Sequence, residues 1–192
     1  MHKRAFLCAA SALPLLAAAA PVSTAAAATG PTLLTITGQI ARTNRGPIDP
    51  ALDQMMHKQK ISFDKAFTFD YGALSALPAI TIRPTLEYDG KVHALRGPLL
   101  VDVLAAAGAR MQAGTAVTLR AVDGFAVDVP LDAARRQRFI VATHLDGKPM
   151  ALGGLGPLWA VIDADRIAEL ANKPVNERFG QCPWALYHID VR

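Results

Sequence analysis

The chain reads as a mixed α+β domain, with small mixed β-sheets and short helices, and three observations carry that reading. Short apolar runs recur between turn dipeptides, of which Asp89-Gly90, Asp123-Gly124 and Asp146-Gly147 are the plainest. Asp-Gly between extended runs favours the tight turn of a hairpin. Helical patterning is confined to short stretches that do not alternate with the strands in a βαβ rhythm. The first 28 residues have the anatomy of an export signal, which leaves residues 29–192 for a single domain.

Taken in order, Lys3 and Arg4 give the signal its positive start, Ala5 to Ala20 its apolar run, and the small residues Ala25 to Ala28 a cleavage site. Pro14 and the alanine-rich composition make it a poor membrane span, so the processed protein is expected to be periplasmic or secreted and not inserted in a membrane. Leu33 to Ile40 is a first strand. Ala41 to Ser62 is a polar surface excursion carrying one helical patch, DQMMHKQK, and is a candidate for ordering by a partner. Phe67 to Leu77 is read as a short helix with Asp70 near its start and Pro78 as its stop. Ala79 to Tyr88 is a strand marked by Pro84 as an edge or bulged one, with Lys91 to Leu95 returning beside it.

Pro98 to Ala107 is the clearest helix, with proline in its first turn, Gly108 as its stop, and Leu99, Val103 and Ala106 or Ala107 facing inward. Ala116 to Val122 and Phe125 to Val129 form a hairpin, Pro130 to Arg136 a short helix and Phe139 to His144 another strand. The stretch LDGKPMALGGLGPLWAV, Leu145 to Val161, predicts a hairpin, a glycine-rich bend (Gly153, Gly154, Gly156) and a strand opening at Trp159. Glycines that let the backbone approach closely, beside an indole face, suit a flat heterocycle. Trp159 to Ile162 continues as a strand, Asp163 to Ala171 is a helix capped by Asp163, and Trp184 to Val191 is a closing strand.

Composition narrows the function. Without Lys3 and Arg4 the chain carries eighteen Lys and Arg against sixteen Asp and Glu, with no basic block or basic–aromatic interleaving. A nucleic-acid partner is therefore not expected. Beyond the signal, Cys182 is the one cysteine, so no disulfide framework is possible within the domain and the core must supply its stability. Only two serines beyond the signal (Ser62, Ser75) and no G-x-S-x-G elbow argue against a serine hydrolase. His57, His93, His144 and His188 lack metal-site spacing, no phosphate-cradling loop is present, and Asp163 and Asp165 do not face one another on a helix.

From about Leu74 to Val191 the order of segments resembles the molybdopterin-binding domain of the sulfite-oxidase fold. The residues that carry the likeness are ALPAITIRPTLEYDG, RGPLLVDVLAAAGA, VTLRAVDGFAVDVPLDAARRQRFIVATHLDGKPMALGGLGPLWAV and PWALYHIDV. The resemblance implies a pterin slot lined by the glycine-rich bend. Catalytic members hold molybdenum through a cysteine thiolate just after the strand that matches ITIRPTLEY; here Tyr88 most nearly takes that place. A phenol, with a pKa of about 10, is a hard donor where a dithiolene-bound molybdenum calls for a soft one. Trp159 stands where a charged phosphate partner is expected, and no dimerisation domain follows in the sequence. In these respects the chain is similar to small stand-alone periplasmic pterin-binding proteins, some of which report pterin to a membrane-bound cyclic-di-GMP-turnover enzyme.

What the resemblance implies is an exported pterin sensor or adaptor without turnover, binding a molybdenum-free pterin. A pterin presents two π faces, a donor edge (2-amino and N3–H) and acceptors at O4 and N5. Trp159 and Trp184 are expected as stacking platforms, Tyr88 as a wall at the vacated metal position, Asp163 and then Asp123 for the donor edge, and Arg178 for a carbonyl or phosphate. Core packing, turn formation at Asp123, helix capping at Asp163 and a solvated Arg178 are the competing roles. The alternatives are a molybdopterin-dependent oxidoreductase, or a subunit of one, that uses an unusual ligand such as Cys182, and an interaction protein whose slot stays empty.

Overall fold

A computed structural model describes residues 30–192; the export signal expected at residues 1–28 lies outside the described residues. In chain order the elements are β1 (Leu34–Gly38), α1 (Gln54–Lys58), β2 (Phe67–Phe69), α2 (Tyr71–Ser75), β3 (Ala79–Ile82), β4 (Leu95–Pro98), α3 (Leu100–Ala106), β5 (Ala116–Ala121) and β6 (Ala126–Pro130). They continue with α4 (Leu131–Arg136), β7 (Ile140–Ala142), β8 (His144–Leu145), β9 (Lys148–Pro149), β10 (Trp159–Val161), α5 (Ala168–Ala171) and β11 (Leu186–Val191). The strands form a five-stranded sheet ordered β2-β1-β11-β5-β6, a four-stranded sheet ordered β3-β4-β8-β9, and the pair β10-β7. The mixed α+β class expected from the sequence is what the chain adopts.

β1 and β11 run parallel, pairing Thr35 with His188 and Val191 with Gly38, and the other neighbours in that sheet are antiparallel. One core cluster joins the sheets: Leu34 and Ile36 of β1, Leu95 of β4, Leu100, Val103 and Leu104 of α3, Leu119 of β5, all three residues of β10 and Ile189 are fully buried in it. The register shift between Leu186 and His188 in β11 is a bulge that interrupts strict alternation. Leu186 and Ile189 thus meet the main core, while Tyr187 joins a second cluster with Met56, Ile61, Phe63 and Ala66.

Residues 41–62 are mostly exposed, as a surface excursion should be, and that second cluster anchors them to the sheet. Met56 of α1, Ile61 and Phe63 pack under Tyr187, whose hydroxyl donates to Gln59 Oε1 at 2.8 Å. Gln59 Nε2 in turn donates to the Val122 carbonyl at 3.2 Å. The segment is a cover on the sheet, ordered by the chain's own residues.

Other boundaries differ for local reasons. Phe67–Phe69 extends the five-stranded sheet as an edge strand, and helix begins only after Asp70, whose Oδ1 accepts from the Ala73 N–H at 2.7 Å. β3 stops at Ile82, before Pro84. The returning strand begins at Leu95, where it pairs with Ile82, while Thr85 and Val92 make one isolated bridge. Pro98 ends β4 and does not open α3; Leu99 is the residue before the helix. Hairpins form at both Asp123-Gly124 and Asp146-Gly147. The first closes one residue earlier than expected, Ala121 N–H donating to the Phe125 carbonyl around the three-residue loop 122–124. The second has both turn residues at positive φ, +49° and +78°. Residues 163–171 are not one helix: a single 3₁₀ turn, Ala164–Arg166, precedes α5.

Candidate functional site

The loop that leaves β3, the β5–β6 turn and the loop that enters β11 meet around a cleft of about 270 Å³. Its walls include Glu87, Tyr88, Asp123, Phe125, Phe179 and Trp184, with Cys182 at the base. Tyr88, Phe125 and Trp184 are 55%, 47% and 38% exposed. They are the exposed Phe, Tyr and Trp side chains among the described residues, and all three stand at this one opening. Single exposed apolar residues are ordinary on a protein surface, but three aromatics gathered on one cleft are not.

The polar part of the lining is acidic. Asp123, which lines the cleft, accepts from the Phe125 N–H through Oδ1 at 2.9 Å, a turn contact. Glu87 is half-buried beside Tyr88. Burial first, and the Glu87 carboxylate second, push the Tyr88 hydroxyl up to about 12. Burial likewise pushes the Cys182 thiol up to about 12, so it is a packed thiol and not a thiolate at neutral pH. No Lys or Arg lines the cleft.

The cleft's two loops are tied together by a carboxylate outside it. Asp165 Oδ2 accepts from both the backbone N–H and the hydroxyl of Thr85, each at 2.7 Å, just ahead of Glu87 and Tyr88. Its Oδ1 pairs with Arg178 Nη1 at 2.7 Å, next to Phe179. Arg178 also donates from Nε to the Lys173 carbonyl and from Nη2 to the Ala171 carbonyl. All three guanidinium nitrogens are therefore committed within the fold, and Arg178 does not line the cleft.

Of the six residues expected from the sequence, Tyr88, Trp184 and Asp123 are brought to one cleft, and three lie elsewhere. Trp159 is fully buried in β10; its indole N–H donates to the Cys182 carbonyl at 2.8 Å and its ring lies 5.9 Å from that of Phe179. Its backbone pairs with Trp184, so it supports from behind the loop that Trp184 stands on. Asp163 makes no helix cap. It accepts from the Arg83 N–H at 3.3 Å and pairs with Arg166 at 3.5 Å, on a different cleft.

Glu87, Phe125 and Phe179 were not singled out from the sequence. Phe125 carried a signal, an aromatic placed directly after an Asp-Gly turn pair, at the hairpin tip. Glu87 and Phe179 carried none, because their placement depends on the Thr85–Asp165–Arg178 tie across distant segments.

Among the described residues, no group of three or more His, Cys, Asp and Glu side chains is arranged to hold a metal ion. No helix there is long and apolar enough to cross a membrane. Neither the models of known protein families nor the curated proteins include a match to this chain.

Proposed function

We propose that this chain is an exported pterin-binding protein of sulfite-oxidase-like fold that binds without turnover and serves as a sensor or adaptor for a membrane-bound signalling partner. The single observation that carries the proposal is the gathering of Tyr88, Phe125 and Trp184 around one cleft whose polar residues are carboxylates. A flat ring stacks between such faces, each good aromatic contact contributing about 0.5–1.5 kcal/mol beyond area burial. Asp123 and Glu87 present acceptors to the 2-amino and N3–H edge, a charge-assisted contact of about 1.5–3 kcal/mol. With burial of a bicyclic ring, affinity near micromolar, about −8 kcal/mol, is within reach. The cyclic-di-GMP-turnover partner rests on the sequence resemblance alone.

The lining suits a neutral pterin better than molybdopterin. The latter brings a phosphate and an anionic dithiolene, and a wall with two carboxylates and no cation repels both. Cys182, in the cleft base, is the one observation that favours the oxidoreductase alternative, since it is the soft donor at hand. Its burial and raised proton affinity oppose the thiolate that such a role requires.

The test is mass spectrometry of small molecules released from natively exported protein, metal analysis of the same sample, and titration with pterin followed by tryptophan fluorescence. We expect a released pterin, no stoichiometric molybdenum, saturable quenching, and at least tenfold weaker binding in Trp184→Ala with folding retained. Stoichiometric molybdenum would establish the alternative. Absence of both pterin release and saturable quenching overturns the proposal.

A further inference from the structure

A second, larger cleft of about 490 Å³ shares no lining residue with the first. Its floor is apolar, with Ile80 and Ile82 of β3 and Ile167 ahead of α5. Its rim carries Arg83, Arg136, Arg138 and Arg166 against one carboxylate, Asp163. Asp163 pairs with Arg166; Arg83, Arg136 and Arg138 make no ion pair with any described carboxylate. Residues 30–192 carry eighteen Lys and Arg against sixteen Asp and Glu, so this one rim holds more net positive charge than the whole described chain.

The four guanidiniums come from three separate places: the end of β3, the end of α4 and the 3₁₀ turn after β10. A helix C-terminus favours cations through its exposed carbonyls, which accounts for arginines at the end of α4. It does not account for Arg83 and Arg166 converging on the same opening. The backbone adds an independent sign. Arg138 follows α4 with φ at +54°, and Phe139 N–H closes back on the Ala134 carbonyl at 3.1 Å. This is the helix-ending position that glycine ordinarily fills, because a Cβ is disfavoured there. A long cationic side chain occupies it instead, on the rim of the cleft.

We propose that this cleft is a binding site for a phosphate-bearing organic anion, its phosphate held by Arg83, Arg136 and Arg138 and its body lying on the Ile80–Ile82–Ile167 floor. Guanidiniums match phosphate oxygens with paired N–H donors. The volume admits a molecule of nucleoside-monophosphate size, and a phospholipid headgroup offers the same chemistry. This site is separate from the pterin reading and survives its failure.

The test measures binding of inorganic phosphate, of a nucleoside 5′-monophosphate, and of phosphatidylglycerol-containing vesicles against pure phosphatidylcholine vesicles, at low and physiological salt. The intact protein is compared with Arg83→Gln and Arg138→Gly. Arg138→Gly relieves the disfavoured backbone, so its melting temperature is expected to hold or rise while anion affinity falls at least fivefold. Arg83→Gln is expected to fall likewise. Tighter binding of the nucleotide than of phosphate identifies a soluble organophosphate, and selective capture by anionic vesicles identifies a headgroup. Either supports the site. Binding of none of the three probes, or binding unchanged in both variants, overturns it.

Discussion

At the scale of single residues, the two tryptophans show how one side-chain type divides into two roles. Trp184 stands on the cleft, and Trp159 is buried behind it with its indole N–H on the Cys182 carbonyl. Trp159→Phe keeps an aromatic body but leaves a buried carbonyl without its donor and a small void. We expect a loss of about 2–3 kcal/mol in urea unfolding; an unchanged midpoint would show that the hydrogen bond does not support the loop. Residue chemistry was legible in the sequence: aromatics and carboxylates fit for a flat heterocycle were visible at Tyr88, Asp123 and Trp184. Direction was not. Trp159 points inward because β10 is covered on both faces, and Arg178 points inward because Asp165 holds it, and both facts depend on partners distant in sequence.

At the scale of elements, local chemistry decides which boundaries can be read in advance. The Asp123-Gly124 and Asp146-Gly147 hairpins were legible because an Asp-Gly pair marks each short turn. Phe67–Phe69 was not: three apolar or β-branched residues ahead of a helix fit either state, and pairing with β1 settles the matter. Pro98 likewise suits a helix start, yet it ends β4 opposite Ala79. Packing between elements adds a constraint that no local pattern reveals. β4 crosses β7 so closely that a Cβ on Gly97 would overlap the Val141 carbonyl, with Ala142 Cα 2.8 Å away. These obstacles are backbone and cannot swing aside. Gly97→Ala should therefore cost about 3 kcal/mol or more, or prevent folding, whereas Gly46→Ala, with nothing within 4 Å, should be close to neutral in the same thermal-melt comparison.

At the scale of the whole molecule, the shared core makes a single protonation a global event. Thr37 Oγ1 donates to Asp190 Oδ1 at 2.8 Å, so it accepts from His188 Nε2–H at 3.0 Å and leaves Nδ1 buried without a partner. Burial, and then the Arg120 charge on the neighbouring strand, hold His188 down at about 4. A histidine with a depressed folded pKa stabilises the fold above its unfolded value of 6.5, and that contribution is lost as pH falls towards 4. The full shift corresponds to about 3 kcal/mol. His93, raised by Asp146 and Asp89, acts in the opposite sense, but at the surface, where solvent screens it. The lowered carboxylates titrate below their ordinary value of 3.8, under this window. Urea midpoints should fall between pH 7 and pH 4.5, and His188→Gln should flatten the slope; a level profile in the unaltered protein would refute the assignment. The fold class was legible because it follows from the count and spacing of short elements, whereas this buried histidine was not, since its surroundings come from both ends of the chain. Those ends meet because β1 and β11 lie side by side, with β11 in the middle of its sheet. Of the described strands, the ribosome delivers that middle one last. The nascent chain therefore cannot close its main sheet until Val191 has emerged, so that sheet stays open while every described strand before β11 is being made.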